Sequence, residues 1–337
     1  MWDRSRGGIT VFTEEESIMR FSASALVLIA GLLLAGPVFA VGSLLIEPGA
    51  RENGMGGAGV ALADEVTGMT WWNPAGLGFV KRAGVQMTNV KLVPDLMDDV
   101  AFNHLAFVQP MEGWGGLALS VAFLSYGSSI AMDENLNEGP SFSSYEFWSG
   151  LSYGVELWPD LAIGCNVKFI RMNLATGIAN AQAATVGFDL GCLYLIQPAR
   201  LRLGANIQHL GPGLVFNDEG HPNPLPRNIK IGFAWEAFNR SGLTSALIGD
   251  FNKQVNELTY STYNGGLEVK YSTETNKGIG AIGLAGRFGY LYDPDGDRKN
   301  LTYGLGLNWG SLTLDYGSIP QARDLAYVEK FSLGYRF

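Results

Sequence analysis

From residue 83 to the end, hydrophobic and polar positions follow a two-residue rhythm. In the last segment, Phe331, Leu333, Tyr335 and Phe337 alternate with Lys330, Ser332, Gly334 and Arg336. Leu301, Tyr303, Leu305, Leu307 and Trp309 alternate with Thr302, Gly304, Gly306, Asn308 and Gly310. Leu201, Leu203, Ala205 and Ile207 do so with Arg202, Gly204, Asn206 and Gln208. Successive side chains on a strand point to opposite faces, so each segment predicts one apolar face and one polar or small face. Fourteen such segments are predicted, roughly at 83–93, 99–110, 114–126, 142–157, 161–172, 184–197, 200–211, 227–238, 242–254, 258–271, 277–290, 300–309, 311–318 and 327–337.

The polar class mixes Arg, Asp, Asn, Gln and Gly, which suits a wet lumen better than the dry core of a soluble sandwich. Aromatics gather at strand ends (Tyr145, Phe147, Trp148, Tyr290, Tyr292, Trp309, Tyr316), as the interfacial girdles of a membrane barrel require. Connections alternate in length. Short ones lie at 111–113, 158–160, 198–199, 239–241 and 310; long ones at 127–141, 173–183, 212–226, 291–299 and 319–326. The connection at 255–257 is short where a long one belongs. Outer-membrane barrels have short periplasmic turns and longer outer loops. The expectation is therefore an all-β, 14-stranded antiparallel transmembrane barrel (83–337) in the outer membrane of a Gram-negative bacterium, with both chain ends in the periplasm.

Composition agrees. Of 337 residues, 47% are hydrophobic but only 16% charged, against about a quarter in soluble domains; 45 are glycine and 12% aromatic. Past residue 40 there is no unbroken apolar run of the ~20 residues that a membrane helix needs. A net charge of −9 and the lack of a Lys/Arg cluster exclude a nucleic-acid partner.

The N-terminal region follows other rules. Met19-Arg20, the apolar run Ala25 to Ala35 and the end Val38-Phe39-Ala40 make 19–40 a secretory signal peptide, and 1–18 an upstream start assigned in error. Residues 41–82 do not alternate; they are rich in small residues and carry the Asn73-Pro74 turn signal. Irregular backbone cannot face lipid but can sit in a barrel lumen, so this segment is expected to be a hatch or plug.

Several motifs offer chemistry without its context. Gly54 to Gly59 matches G-x-G-x-x-G but opens no βαβ unit. Gly150 to Gly154 matches G-x-S-x-G, yet Ser152 falls inside a strand with no helix after it. No catalytic constellation, cofactor or metal site is expected. Asp293, Asp295 and Asp297 make a weak Ca²⁺ candidate, but the glycine and glutamate of an EF-hand loop are missing, so an Asp/Gly/Pro turn is favoured. Cys165 and Cys192 fall nearly opposite on consecutive strands, both facing lipid. A disulfide there is one reading, and two small apolar residues is the favoured one.

The segment GARENGMGGAGVALADEVTGMTWWNPAGL resembles the N-terminal hatch of the FadL-like barrels, and more closely that of the PorV/PorQ family. VGFDLGCLYL with Asp189, RLGANIQHLGPGLVF followed by PLPRNIKIGFAWE, and the ending LTLDYGSIP to FSLGYRF extend the resemblance over almost the whole mature chain. One departure is His209, where the family more often has Asn. The resemblance implies a non-enzymatic role in type IX secretion, in which the barrel binds a large translocon and exported cargo. The alternative, from the FadL-like members, is uptake of hydrophobic small molecules. It also implies that Asn73, Pro74, Ala75 and Gly76 fix the hatch, that Arg51 and Asp64 anchor it to lumen side chains, and that Phe331, Leu333, Tyr335 and Phe337 form the signal read by the barrel-assembly machinery. The loop 212–226, with Leu214, Val215, Phe216 and Leu225, is expected to capture substrate or dock a partner.

Overall fold

The computed structural model describes residues 41–93, 99–132, 138–178, 180–216, 222–255, 261–273, 281–294, 298–321 and 327–337. The leader and upstream-start expectations fall on 1–40, outside the described residues. Fourteen strands follow one another: β1 Gly84–Lys91, β2 Val100–Met111, β3 Gly115–Met132, β4 Glu138–Trp158, β5 Leu161–Asn173, β6 Gln182–Ile196, β7 Leu201–Leu210, β8 Asn228–Arg240, β9 Leu243–Gln254, β10 Ser261–Thr273, β11 Ile282–Asp293, β12 Arg298–Trp309, β13 Leu312–Ile319 and β14 Val328–Arg336. Each pairs antiparallel with its neighbours in sequence, and β1 pairs with β14 through Val85↔Tyr335 and Met87↔Leu333, which closes the ring. Closure leaves no strand edge with unpaired amides, the condition for a sheet to stand in lipid. The expected 14-stranded antiparallel barrel is the observed fold.

The two-residue rhythm sorts the faces. On β14, Phe331, Leu333 and Tyr335 point outward at 56%, 49% and 45% exposure, while Lys330 and Ser332 point inward at 5% and 3%. Some two-residue turns are built on left-handed residues. Ser241 and Gly242 both have positive φ (54° and 80°), the type I′ geometry whose twist matches a hairpin.

The structure corrects several details. The loop expected at 127–141 is largely strand, because Ser128, Ser129 and Ile130 pair with Ser143, Phe142 and Ser141. The hairpin β3–β4 thus runs 18 and 21 residues, well beyond the ~9–11 that cross a bilayer, and its tip lacks the apolar alternation because lipid no longer selects it. The long connection expected at 291–299 shrinks to 294–297, while 274–281, at the end where only short turns were expected, is eight residues. Trp148 is no girdle residue: it points inward and is fully buried. Cys165 pairs with Leu190 and Cys192 with Ile163, so the cysteines lie diagonally and both are free. Diagonal neighbours sit ~7–8 Å apart, too far for a disulfide.

The inward face is not wet throughout. Toward the end of the barrel opposite Phe337, Phe102, Leu124, Trp148 and Ile170 form an apolar core with Val41, Leu44, Trp71 and Trp72. The loop 211–227 joins that core: Leu214 and Leu225 are fully buried, and Leu214 and Asn223 pair through their main chains. Apolar side chains for substrate capture or for docking a partner were expected on this loop, but of the residues named only Val215 stays exposed.

Candidate functional site: the segment inside the barrel

Residues 41–80 thread through the lumen as short turns of helix, with nearly every side chain buried. Asn73 explains one such turn. Its Oδ1 accepts from the Ala75 amide at 3.1 Å and so caps the 3₁₀ helix Pro74–Phe79, with Pro74 at the first position, where its missing N–H costs nothing. The Asn73 Nδ2 donates to the Val60 and Cys192 carbonyls, each at 2.9 Å, tying the cap to β6.

The wall is shaped to receive this turn. Gly116, Gly154, Gly164 and Gly191, on β3 to β6, present bare backbone; a Cβ at Gly164 would strike the Pro74 carbonyl and one at Gly191 the Asn73 side chain. Ala75 is fully buried beside Ala63 and Ala162, and Gly76 lies against Ala63. On the opposite wall Gly266, Gly289, Gly304 and Gly317, on β10 to β13, receive Ala50 to Gly56. The G-x-G-x-x-G string is therefore a packed turn. Gly56 and Gly57 take φ of +77° and +81°, and Gly56 N donates to Thr302 Oγ1 at 2.8 Å.

Inward polar residues serve the irregular backbone. Glu146 accepts from the Gly42 and Ser43 amides (3.0 and 2.7 Å), and Asp250 Oδ2 from Gly59 and Val60 (2.7 and 2.9 Å). Gln208 and Asn206 donate to the Trp71 and Trp72 carbonyls, both at 2.7 Å. The lumen side chains expected to meet water instead satisfy a buried main chain, as burial of amides demands.

An ion-pair network holds the first half. Arg51 binds Glu268 of β10 through both carboxylate oxygens (2.9 and 2.8 Å) and Asp64 through Nη1 (2.5 Å). Asp64 also meets Arg202 of β7 at 3.1 Å. Glu268 is shared with Arg287, which continues to Asp315 of β13 at 2.6 Å. Burial opposes the Arg51 charge, but Asp64, Glu268 and Glu65 hold its pKa well above the ordinary value. Burial acts upward on Asp64, and Arg51 and Arg202 overcome it, leaving the carboxyl well below the usual range. Glu52 is different: burial, reinforced by Glu65, pushes its carboxyl up to about 8.

A second polar cluster, on β5 to β7, joins Lys168, Asp189 and His209. Lys168 meets Asp189 at 2.7 Å and sits 4.9 Å from the Trp71 ring centre. His209 donates its amide to Asp189 Oδ1 at 2.9 Å from a bulge with φ +59°, a left-handed conformation that His and Asn adopt more readily than most residues.

Elsewhere, Asp293 pairs with Arg298 at 2.9 Å, while Asp295 and Asp297 lie outside the described residues; among the described residues there is no metal-binding cluster. Ser152 is buried in mid-β4, opposite Asn166 and Ala118. Phe337 is exposed and lies edge-on to Tyr335 with ring centres 5.2 Å apart. Glu268, Arg287, Asp250 and Glu146 were not singled out by sequence; the available signal was a lone charge at an inward parity of a strand.

A closed 14-strand antiparallel barrel whose lumen is filled by the preceding segment has the architecture of an outer-membrane β-barrel. Within that class the chain belongs to the PorV family: residues 37–257 match the model for the type IX secretion system protein PorV. Its fold is similar to that of the Ralstonia pickettii toluene transporter TbuX (TM-score 0.54, 14% identity, 86% of this chain and 98% of that one). It is also similar to the Pseudomonas putida toluene transporter TodX (TM-score 0.54, 12% identity, 86% and 96%). No curated protein matches the chain in sequence.

Proposed function

We propose that this barrel is a non-catalytic component of type IX secretion that engages a large translocon and exported cargo. The observation that carries the reading, beside the family, is the filled lumen: the segment 41–80 is bonded to both walls and leaves no room for an exported chain to pass through this barrel. Partners then act on its surface, and secretion runs beside it. The carboxyl end lies in the periplasm, while Val41, where the mature chain is expected to start, is buried in the apolar core toward the opposite end of the lumen. Arg51 and Asp64 anchor the hatch, Asn73 to Gly76 seat it, and the outward apolar ladder Phe331, Leu333, Tyr335 and Phe337 guides membrane assembly.

The second reading, uptake of hydrophobic solutes, draws on the fold shared with the toluene transporters. One experiment separates the two. Pull-down of the detergent-solubilised barrel is expected to recover a large outer-membrane partner or secreted proteins. Recovery of neither, together with uptake of long-chain lipids by liposomes carrying the barrel, would replace the secretion reading with the channel. Deleting Phe337 is expected to reduce the heat-modifiable, membrane-inserted form; wild-type levels of that form would remove it from the assembly signal.

A further inference from the structure

The lumen is lined unequally at the end opposite Phe337. On β2 to β5 an apolar cluster meets the lumen segment, whereas β8 to β10 present Asn228, Lys230, Asn252, Gln254, Thr262 and Asn264. These polar residues face two adjoining cavities, of about 70 and 160 Å³, which share Leu45, Glu47, Thr262 and Arg298. The amide oxygens there are held in place yet unpaired. Asn264 Nδ2 donates to the Gly56 carbonyl, which leaves its Oδ1 to accept from Asn252 Nδ2 at 3.1 Å; the same nitrogen donates to Thr262 Oγ1 at 3.0 Å. That chain of bonds turns Asn252 Oδ1 the other way, where it has no partner among the described residues, although Asn252 is only 6% exposed. Gln254 Oε1 and Asn228 Oδ1, on directly paired residues of β9 and β8, have none either. All three residues line the smaller cavity. A buried amide oxygen without a donor is destabilising, so three in one corner mark an acceptor set for a ligand. Cations stand beside them. Lys230 bonds the Glu47 carboxylate at 2.6 Å, and Arg298 meets Asp293. Lys330, in the larger cavity, donates to neutral oxygens, the Glu47 main chain (2.6 Å) and Asn53 Oδ1 (2.9 Å), and directly meets no carboxylate among the described residues.

We infer that this corner binds one sugar ring that bears a carboxylate. Its hydroxyls donate to Asn228, Asn252 and Gln254, its carboxylate sits at Lys330, and its C–H face rests on Leu45. Other ligand classes fit less of the site. A metal ion would meet the ammonium of Lys230, which pairs across the sheet with Asn252. A cationic amine would meet Lys230, Lys330 and Arg298 together. A hydrocarbon would leave the amides unpaired, and a bare phosphate or sulfate would face three acceptor oxygens. The larger cavity has the space of about five waters at ~30 Å³ each, enough for one sugar ring. It lies below the ~300 Å³ at which sites for drug-sized ligands begin. The inference goes beyond the secretion reading and holds whether or not the barrel engages a translocon.

The test is saturation-transfer NMR on the barrel in a polyoxyethylene detergent, which has no sugar headgroup, with glucuronate, glucose and hexanoate as probes. Glucuronate should receive saturation, and glucose should bind roughly tenfold more weakly, the scale of one charge-assisted hydrogen bond. Hexanoate, an acid without hydroxyls, should not displace glucuronate. Asn228→Leu/Gln254→Leu should weaken glucuronate roughly tenfold, the scale of two neutral hydrogen bonds. The heat-modifiable barrel should stay at wild-type levels in that variant, since these oxygens hold no partner within the protein. Lys330→Gln should remove the preference for glucuronate over glucose. No transfer to glucuronate, or transfer unchanged in the double variant, would overturn the site. Competition on the wild-type barrel needs no variant: displacement by hexanoate at equal concentration would overturn the sugar reading. A glucuronate trimer bound more tightly than the monosaccharide would identify a glycan as the source, and equal affinity a free sugar.

Discussion

The two halves of the lumen segment are held by opposite physics. Against β10 to β13, the first half is fixed by buried charge: Arg51, Glu268, Arg287 and Asp315 alternate in sign across the wall. Against β3 to β6, seven strands away round the ring, the second half is fixed by shape and neutral hydrogen bonds, with Asn73 capping its own turn and bare glycines receiving it. Buried ion pairs are expensive to form, and removing one partner strands the other, so the charged anchor is strong yet sensitive to its surroundings. The neutral seat of Asn73 to Gly76 has no titrating side chain of its own and depends on close approach of backbone to backbone. The first is therefore the half that a proton or a competing charge can loosen, and the second is the permanent seat.

Filling the neutral seat should have the largest effect. Gly164→Leu places a side chain where Pro74 passes, so residues 41–82 should be expelled and cut by thermolysin while the strands stay protected. A protected segment would mean the wall can give way and the seat is not built on shape.

Glu268→Ala comes next. It leaves the buried guanidiniums of Arg51 and Arg287 without their shared carboxylate, a loss of about 3–5 kcal/mol in urea-dependent release of the segment. Replacing Arg51 and Glu268 together by Met should cost less than Glu268→Ala alone; an additive loss would show that the two side chains do not couple and that each acts through its other partners.

pH separates the halves further. Glu52 binds its proton more tightly in the folded state, so the stability it contributes is full below the ordinary carboxylate range and declines as pH rises through about 8. Release of the first half should become easier from pH 5 to pH 9 by on the order of 3 kcal/mol, and Glu52→Gln should flatten that slope. Asp64 acts in the opposite sense: held low by Arg51 and Arg202, it favours the closed segment above the usual carboxylate range and loses that contribution as acid protonates it. An unchanged slope in Glu52→Gln would remove this residue as the sensor.

Asn73→Ala should have the smallest effect, about 2 kcal/mol, because it removes a cap, one bond to the wall and one within the segment but leaves the glycine seat intact. Urea titration of thermolysin cleavage within 62–82 measures it. A loss as large as that of Gly164→Leu would show that the bonds, and not the fit, hold this half.

How much of this was legible followed from distance along the chain. Asn73-Pro74 could be recognised as a turn because cap and capped amide are two residues apart. The partner of Arg51 could not: Glu268 is 217 residues away and looks, in its own strand, like any other inward polar position. Trp148 misled because an aromatic near a strand end serves a girdle or an inner core equally well, and a one-residue change of parity decides which. The β3–β4 hairpin misled because its tip has left the lipid that enforces alternation.

By itself the sequence determined the number of strands, their order around the ring and the alternation that splits each strand into two faces, because a period of two is a local property and hairpin connections leave little choice of neighbour. Only the tertiary structure decided that the inward polar residues face protein, and which carboxylate meets which cation. A polar side chain is written the same way for water as for a buried amide. The difference lies in what fills the lumen, and that is settled by how residues 41–80 fit between two walls of glycine brought together by closure of the barrel.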